Sequence, residues 1–427
     1  MRRRNWWVIG GATVAVLLAG CATAVGGSAG VDPQGFAGLA GPVTTTTPTT
    51  TTRTTPTLTR TTTTPTRTTG TITRSTDTGS GQNPYPTTPR QLPETPQTDQ
   101  QAALLEGRRI AGYLPVPTQI EPSYRKNASM STLPLKSASA LSLMLTDPAP
   151  DVAQRYGMLA GFMSARNTTD KKSMLVAALE FPDSGSAQKA AGALAEAAHQ
   201  DKDTGKVKVP GFDKAAGWAG KYSDSSYSHA FLAQGALVLY AWVQDEGTGD
   251  PAAQAALLGQ ALKAETTAMA AFKPAGKDGM RKLPTDVDGI LAHTIPQPSE
   301  DATVIDGIYT AAAQLHFDTD PTETGRLFQA AGVDQVAQGK LTVYRAKDSA
   351  GAARIRDLFI DMMKGTDSAW KPYEFPGSVK EISCIQQALN SLYYCVAVDG
   401  RYAVEGYSSS EPDLINAFTA QTELLGQ

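Results

Sequence analysis

The sequence predicts an α+β fold: two tandem ferredoxin-like α/β repeat units that follow a signal peptide and a disordered Thr/Pro-rich stalk. Two observations carry the repeat. Residues 174–181 (MLVAALEF) and 340–344 (KLTVY) read as strands, and each runs into Asp-Ser-x-x-Ala at the head of a helix, at Asp183 and at Asp348. Each half then holds an apolar hairpin, residues 227–243 turning at Gln234-Gly235 and residues 393–407 turning at Asp399-Gly400. Helix start and turn lie 51 residues apart in both halves. The third observation is compositional: residues 41–99 hold almost no large apolar side chain, so nothing there offsets the entropy of folding.

From the N-terminus, Arg2, Arg3 and Arg4 form a positive n-region, and residues 6–18 form an apolar run too short for a stable membrane span. The run ends in Leu18-Ala19-Gly20-Cys21, which resembles the lipobox of bacterial lipoproteins. That resemblance implies cleavage after residue 20 and acylation of Cys21, and two acyl chains anchor a protein stably where one binds only marginally. The other reading of these residues is a plain secretory signal that happens to contain a cysteine. Residues 21–99 are the expected stalk. Thr and Pro favour extended polyproline-like backbone at ~3.1 Å per residue, giving a reach of roughly 150–190 Å. Arg53, Arg60, Arg67 and Arg74 recur every seventh residue. They either touch anionic wall polymers or keep the repeat soluble, and the threonines are acceptors for O-glycosylation.

Residues 100–290 are the expected first unit with an N-terminal extension, and residues 291–427 the second. In each, an Asp or Ser oxygen caps a helix (residues 187–199 and 352–363). Asp-Gly at the second turn is a type I′ signal. Final helices are expected over residues 251–272 and 412–425, and upstream of the shared strand each half carries Thr-Asp-Pro, at Asp147 and Asp320. A sheet built this way buries one face under its helices. A ligand would then sit in the groove between the two copies.

Charge narrows the partners. The whole chain carries 38 basic and 41 acidic groups, but residues 1–90 hold eight basic and two acidic ones, leaving the remainder at −9. An acidic folded part on a basic stem argues against nucleic acid. With Cys21 acylated, Cys384 and Cys395 remain as a pair in an oxidising setting, and a structural disulfide is expected. Neither a CxxC nor a metal-spaced Cys/His set is present, so no metal or cofactor is expected. Enzyme signatures are also missing: GxSxG, HExxH, the phosphate-cradling loop and the dinucleotide fingerprint are absent. His199, His229, His293 and His316 are scattered, with His199 expected to cap a helix end. No catalytic residue is assigned, and Asp183 and Asp348 read as caps.

The residues 181–184 (FPDS), Pro210-Gly211, Cys384, the run 395–402 (CVAVDGRY) and the terminal helix with Gln421 together resemble a family. It comprises actinobacterial (mycobacterial and nocardial) cell-envelope lipoproteins with C-terminal domains of unknown function. The resemblance implies a location on the extracytoplasmic face of the cell membrane and offers no activity. Two function classes follow. One is a non-catalytic module that binds a lipid, a wall polymer or an envelope protein, with an interior containing Met144, Met158, Met163 and Met174. The other is a cell-wall-acting hydrolase without a recognisable local motif.

Overall fold

Two antiparallel sheets organise the chain in a computed structural model that describes residues 83–427, except 129–131, 223, 248, 300, 301, 388 and 390. The expected signal peptide, Cys21 and the expected stalk up to residue 82 lie outside the described residues. Helices α1 (Asp99–Ala111) and α2 (Pro117–Ile120) come first. Short strands β1 (Lys126–Asn127) and β2 (Leu133–Leu135), then helix α3 (Ala149–Arg155), lead to the hairpin β3 (Ala160–Asn167) and β4 (Lys172–Glu180). Helix α4 (Ser184–Ala197) is followed by β5 (Asp203–Lys206), β6 (Ala216–Tyr222), β7 (Ser225–Gln234), β8 (Leu237–Glu246) and helix α5 (Pro251–Met269). The sheet runs β1-β3-β4-β8-β7-β6-β5, with β2 on β3.

A short helix α6 (Gly276–Met280) leads to β9 (Gly307–Thr310), α7 (Ala311–Gln314) and α8 (Pro321–Ala331). Strands β10 (Gln335–Gln338) and β11 (Thr342–Arg345) precede helix α9 (Ser349–Thr366). The rest is β12 (Lys371–Tyr373), β13 (Ile382–Gln387), β14 (Leu392–Asp399), β15 (Tyr402–Ser408) and α10 (Glu411–Leu425). This sheet runs β12-β13-β14-β15-β11-β10-β9. Its order from β10 to β12 therefore repeats the first sheet's order from β3 to β5. Register repeats as well: Leu237 pairs with both Glu180 and Gln234, as Tyr402 pairs with both Arg345 and Asp399, each 165 positions later. Asp183 and Asp348 occupy matching places, each capping its helix by accepting from the amide three residues on, at 2.8 and 2.7 Å.

Every strand pairing described is antiparallel. Two expectations change. Each sheet is covered on both faces, not one. The first sheet packs Leu175, Ala177 and Phe231 against α4 and, on its other face, Val176, Ala230 and Leu239 against α5. The apolar run of β4, buried from Met174 to Glu180 without alternation, is the sequence counterpart of this two-sided burial. The hairpin turns also differ, because the loops are Gly235-Ala236 and Gly400-Arg401 between paired end residues. Only the glycines take positive φ (57° and 54°), as in a type II′ turn whose first central residue is glycine.

The boundary expected at residue 99 falls within described structure, which begins at residue 83. Residues 83–90 lie on the second unit, where Asn83 Nδ2 donates to Asn416 O (2.8 Å) and the Tyr85 hydroxyl to Asp413. Arg90 donates through its backbone N–H and Nη2 to Ala292 O and Leu291 O (3.0 and 2.8 Å). The boundary between the units is filled. Tyr309, Ala313 and Phe317 join the core of the first unit with Ile110 and Phe162, the Phe162 and Phe317 rings meeting edge to face at 6.1 Å. The expected groove between copies is an apolar core.

Candidate functional site

A groove of 470 Å³ lies on the first unit, within the size range of ligand sites. Its first wall is the opening of α1, where Thr98 accepts from Gln101 N and the Gln101 side chain returns the bond, a capping box that fixes Asp99, Gln100 and Ala102 in place. The opposite wall is α6 with Lys277, Met280 and the following Arg281. Lys136, Ser137 and Ser139 at the head of a 3-10 turn, and Gln154 with residues 157–159 before β3, close it.

The floor is apolar, formed by Ala102, Met280 and Leu159, which pack with Ala103 and Ala160. The rim is basic. Arg281 donates to Asp99 Oδ1 through Nε and Nη2 at 2.9 and 2.6 Å, so one cation is neutralised. Lys136 and Lys277 form no ion pair among the described residues. Such a surface suits a ligand with an anionic end and an apolar body.

Behind α6 lie two carboxyl groups with no exposure to solvent, Glu106 on α1 and Glu180 on β4. Glu106 Oε1 accepts from Ala275 N and Glu180 Oε1 from Gly276 N, both at 2.8 Å, while Arg109 donates to Glu106 Oε2. Burial, then the adjacent Glu106, holds the Glu180 carboxyl well above the ordinary carboxylate range; the Gly276 amide and Arg109 oppose the shift. A proton kept on Glu180 supplies the donor that two facing acceptors need. These bonds hold the start of α6, and so the positions of Lys277, Met280 and Arg281. Glu180 was visible in the sequence as the lone charge closing an apolar strand, but its partner lies 74 residues upstream in another element.

The residues singled out in the sequence are dispersed. Cys384 and Cys395 face each other across β13 and β14 with Cα atoms 4.2 Å apart, disulfide-bonded on the face covered by α10. Asp320 caps α8, accepting from Thr322 N and Glu323 N. His199 does not cap α4: its Nδ1 meets Asp203 Oδ2 at 2.7 Å and its ring stacks on Trp218, 3.9 Å between centroids. His229 is buried among Tyr227, Phe231 and Tyr240, and burial lowers its pKa to about 4. His293 Nδ1 sits 2.8 Å from Gly289 O. His316 joins the units, with Nε2 facing Ala111 O and Leu114 O and Nδ1 facing Ser164 Oγ at 2.8 Å. Met144, Met163 and Met174 fill the cores, while Met158 lines the groove. Among the described residues there is no cluster of three or more His, Cys, Asp or Glu side chains placed to hold a metal, and no helix is long and apolar enough to cross a membrane.

These features define a mixed α/β protein built from a repeated antiparallel sheet. The chain belongs to the DUF7373 family: residues 93–285 match the domain of unknown function DUF7373, N-terminal, and residues 290–427 match its C-terminal counterpart. No curated protein matches the sequence. Among solved structures it is similar to the extracellular domain of PknH from Mycobacterium tuberculosis, at 12% identity and a TM-score of 0.24, over 37% of this chain and 96% of that one.

Proposed function

We propose that this protein is an actinobacterial cell-envelope lipoprotein, held through Cys21 on the extracytoplasmic face of the membrane. In this reading its folded part is a non-catalytic module that binds an anionic amphiphile of the envelope, a lipid or lipid-linked wall polymer, in the groove on the first unit. The observation that carries the binding is the pairing of an apolar floor (Ala102, Met280) with two lysines, Lys136 and Lys277, that no carboxylate neutralises among the described residues. The anchoring rests on the Leu18-Ala19-Gly20-Cys21 pattern and on the length of Thr/Pro-rich chain behind it.

The test is to incubate the purified protein with envelope extract and identify bound molecules by native mass spectrometry. An anionic amphiphile in stoichiometric amount, lost in Lys136→Glu/Lys277→Glu, is the expected result. Binding that survives the double charge reversal overturns the assignment to the groove. Altered wall fragments in place of a bound molecule point instead to the hydrolase.

A further inference from the structure

The second unit contains a separate cavity of 70 Å³ between α9 and its sheet. Two carboxyl groups face into it. Glu405, on β15, accepts from the Tyr344 and Tyr394 hydroxyls at 2.6 and 2.7 Å, one on each oxygen. Asp318, in the turn before α8, is 94% buried and accepts from Gln314 Nε2 at 3.2 Å through Oδ1, while its Oδ2 has no hydrogen-bond partner among the described residues. The remaining walls are the rings of Phe359, Tyr394 and Tyr407 and the thioether of Met363. Exposed Thr319 and Thr366 border the opening.

The repeat makes this cavity informative. At the 165-residue offset Glu405 stands where the first unit has Tyr240, and Tyr394 stands where it has His229. In the first unit that position is closed by aromatic packing, the Phe231 and Tyr240 rings lying 4.5 Å apart. In the second a carboxylate replaces a ring, and an acid from outside the repeated sheet, Asp318, faces the same space. Two acids brought together in an apolar chamber are unfavourable for folding unless something positive enters. Burial and then Glu405 push the Asp318 carboxyl up to about 8; the Gln314 amide and the Arg166 guanidinium, which donates to the Asp318 carbonyl and not to its carboxylate, oppose the shift without cancelling it.

We infer that this cavity binds a primary alkylammonium end group, seated between the Asp318 and Glu405 carboxyls against the rings of Phe359, Tyr394 and Tyr407. The ammonium supplies the donors that Asp318 Oδ2 lacks, and the ring faces attract the cation while the alkyl stem lies along Met363. A 70 Å³ chamber is less than half the ~150 Å³ of a cavity that encloses benzene, so it accepts an end group and not a whole lipid.

The test is isothermal titration of the full chain with n-butylamine, n-butanol and Nα-acetyl-lysine amide at mildly alkaline pH. Saturable binding of n-butylamine, about tenfold or more tighter than n-butanol, and a similar loss in Asp318→Asn and Glu405→Gln, is the expected result. Lysine amide binding as well as n-butylamine identifies a peptide-borne amine; binding of n-butylamine alone identifies a small free amine. Equal binding of alcohol and amine, or no binding of either amine, overturns the inference, and these comparisons use the unmodified protein and so stand even if the variants fail to fold.

Discussion

Replacing Arg166 with methionine should separate the two units energetically while leaving their sheets intact. Arg166 lies on β3 of the first unit with no solvent exposure. Its guanidinium donates to Arg125 O at 3.1 Å, to Leu315 O and His316 O at 3.3 Å and to Asp318 O, with Thr319 O at the outer limit of 3.5 Å. Four of those five carbonyls belong to the turn between α7 and α8. Burial strips the guanidinium of hydration and holds its pKa down at about 10, while Asp318 and then Asp320 oppose the shift. Charge-assisted bonds of ~1.5–3 kcal/mol each more than offset that cost. Methionine keeps the stem's apolar contacts but leaves buried carbonyls without a donor. The expected loss is therefore about 3–5 kcal/mol, the range for removing one side of a buried charged network. Urea denaturation measures the total, and hydrogen exchange locates it: residues 307–319 should lose protection while β7 and β8 keep theirs. A stability change below about 1 kcal/mol with unaltered exchange in residues 307–319 would refute the reasoning.

Reducing the Cys384–Cys395 bridge, or replacing both cysteines with serine, should destabilise the second unit by roughly 3 kcal/mol, since a separation of 11 residues closes a short loop. Thermal melts with and without reductant check this, and coincident melts would count against it. The pH dependence has a defined sign. His229 and His316, both lowered to about 4 by burial, stay neutral in the fold while the unfolded chain gains protons below about 6.5, so they favour folding above that pH and lose the contribution as pH falls toward 4. Asp318, Glu180 and Glu265 have raised pKa values, chiefly from burial; the fold keeps protons that the unfolded chain releases above about 4.5, so their contribution declines as pH rises. The two groups oppose each other below pH ~6.5, and only the acids act between ~6.5 and 8, where stability should fall by up to ~1.4 kcal/mol per pH unit for each retained proton. Melting temperatures across that interval should decrease, and Asp318→Asn should flatten the slope; a rising curve contradicts the assignment. Cys21→Ala should release the protein from the membrane fraction, which detergent-phase partitioning and intact mass measure; a diacyl mass retained in that variant would exclude the anchor.

The sequence by itself determined what depends on a few neighbouring residues. Asp183 and Asp348 cap helices because a side-chain oxygen three residues from an unpaired amide reaches it without help from the rest of the fold. The two hairpins follow from apolar strands around a glycine that accepts positive φ, and the equal spacing of 51 residues announced the repeat before any contact was known. Tertiary structure decided everything that depends on pairing across distance. Which turn residue takes positive φ, and that residues 83–90 dock on the second unit, was settled by strand register and by contacts with α10. Glu106 meets Glu180, and Asp318 meets Glu405, because a helix or turn from one part of the chain crosses a particular row of a sheet. No local pattern encodes that crossing. Acids so placed look like ordinary surface charges in a sequence, and only the removal of water around them, achieved by packing, turns them into buried acids and raises the pKa values of Glu180 and Asp318.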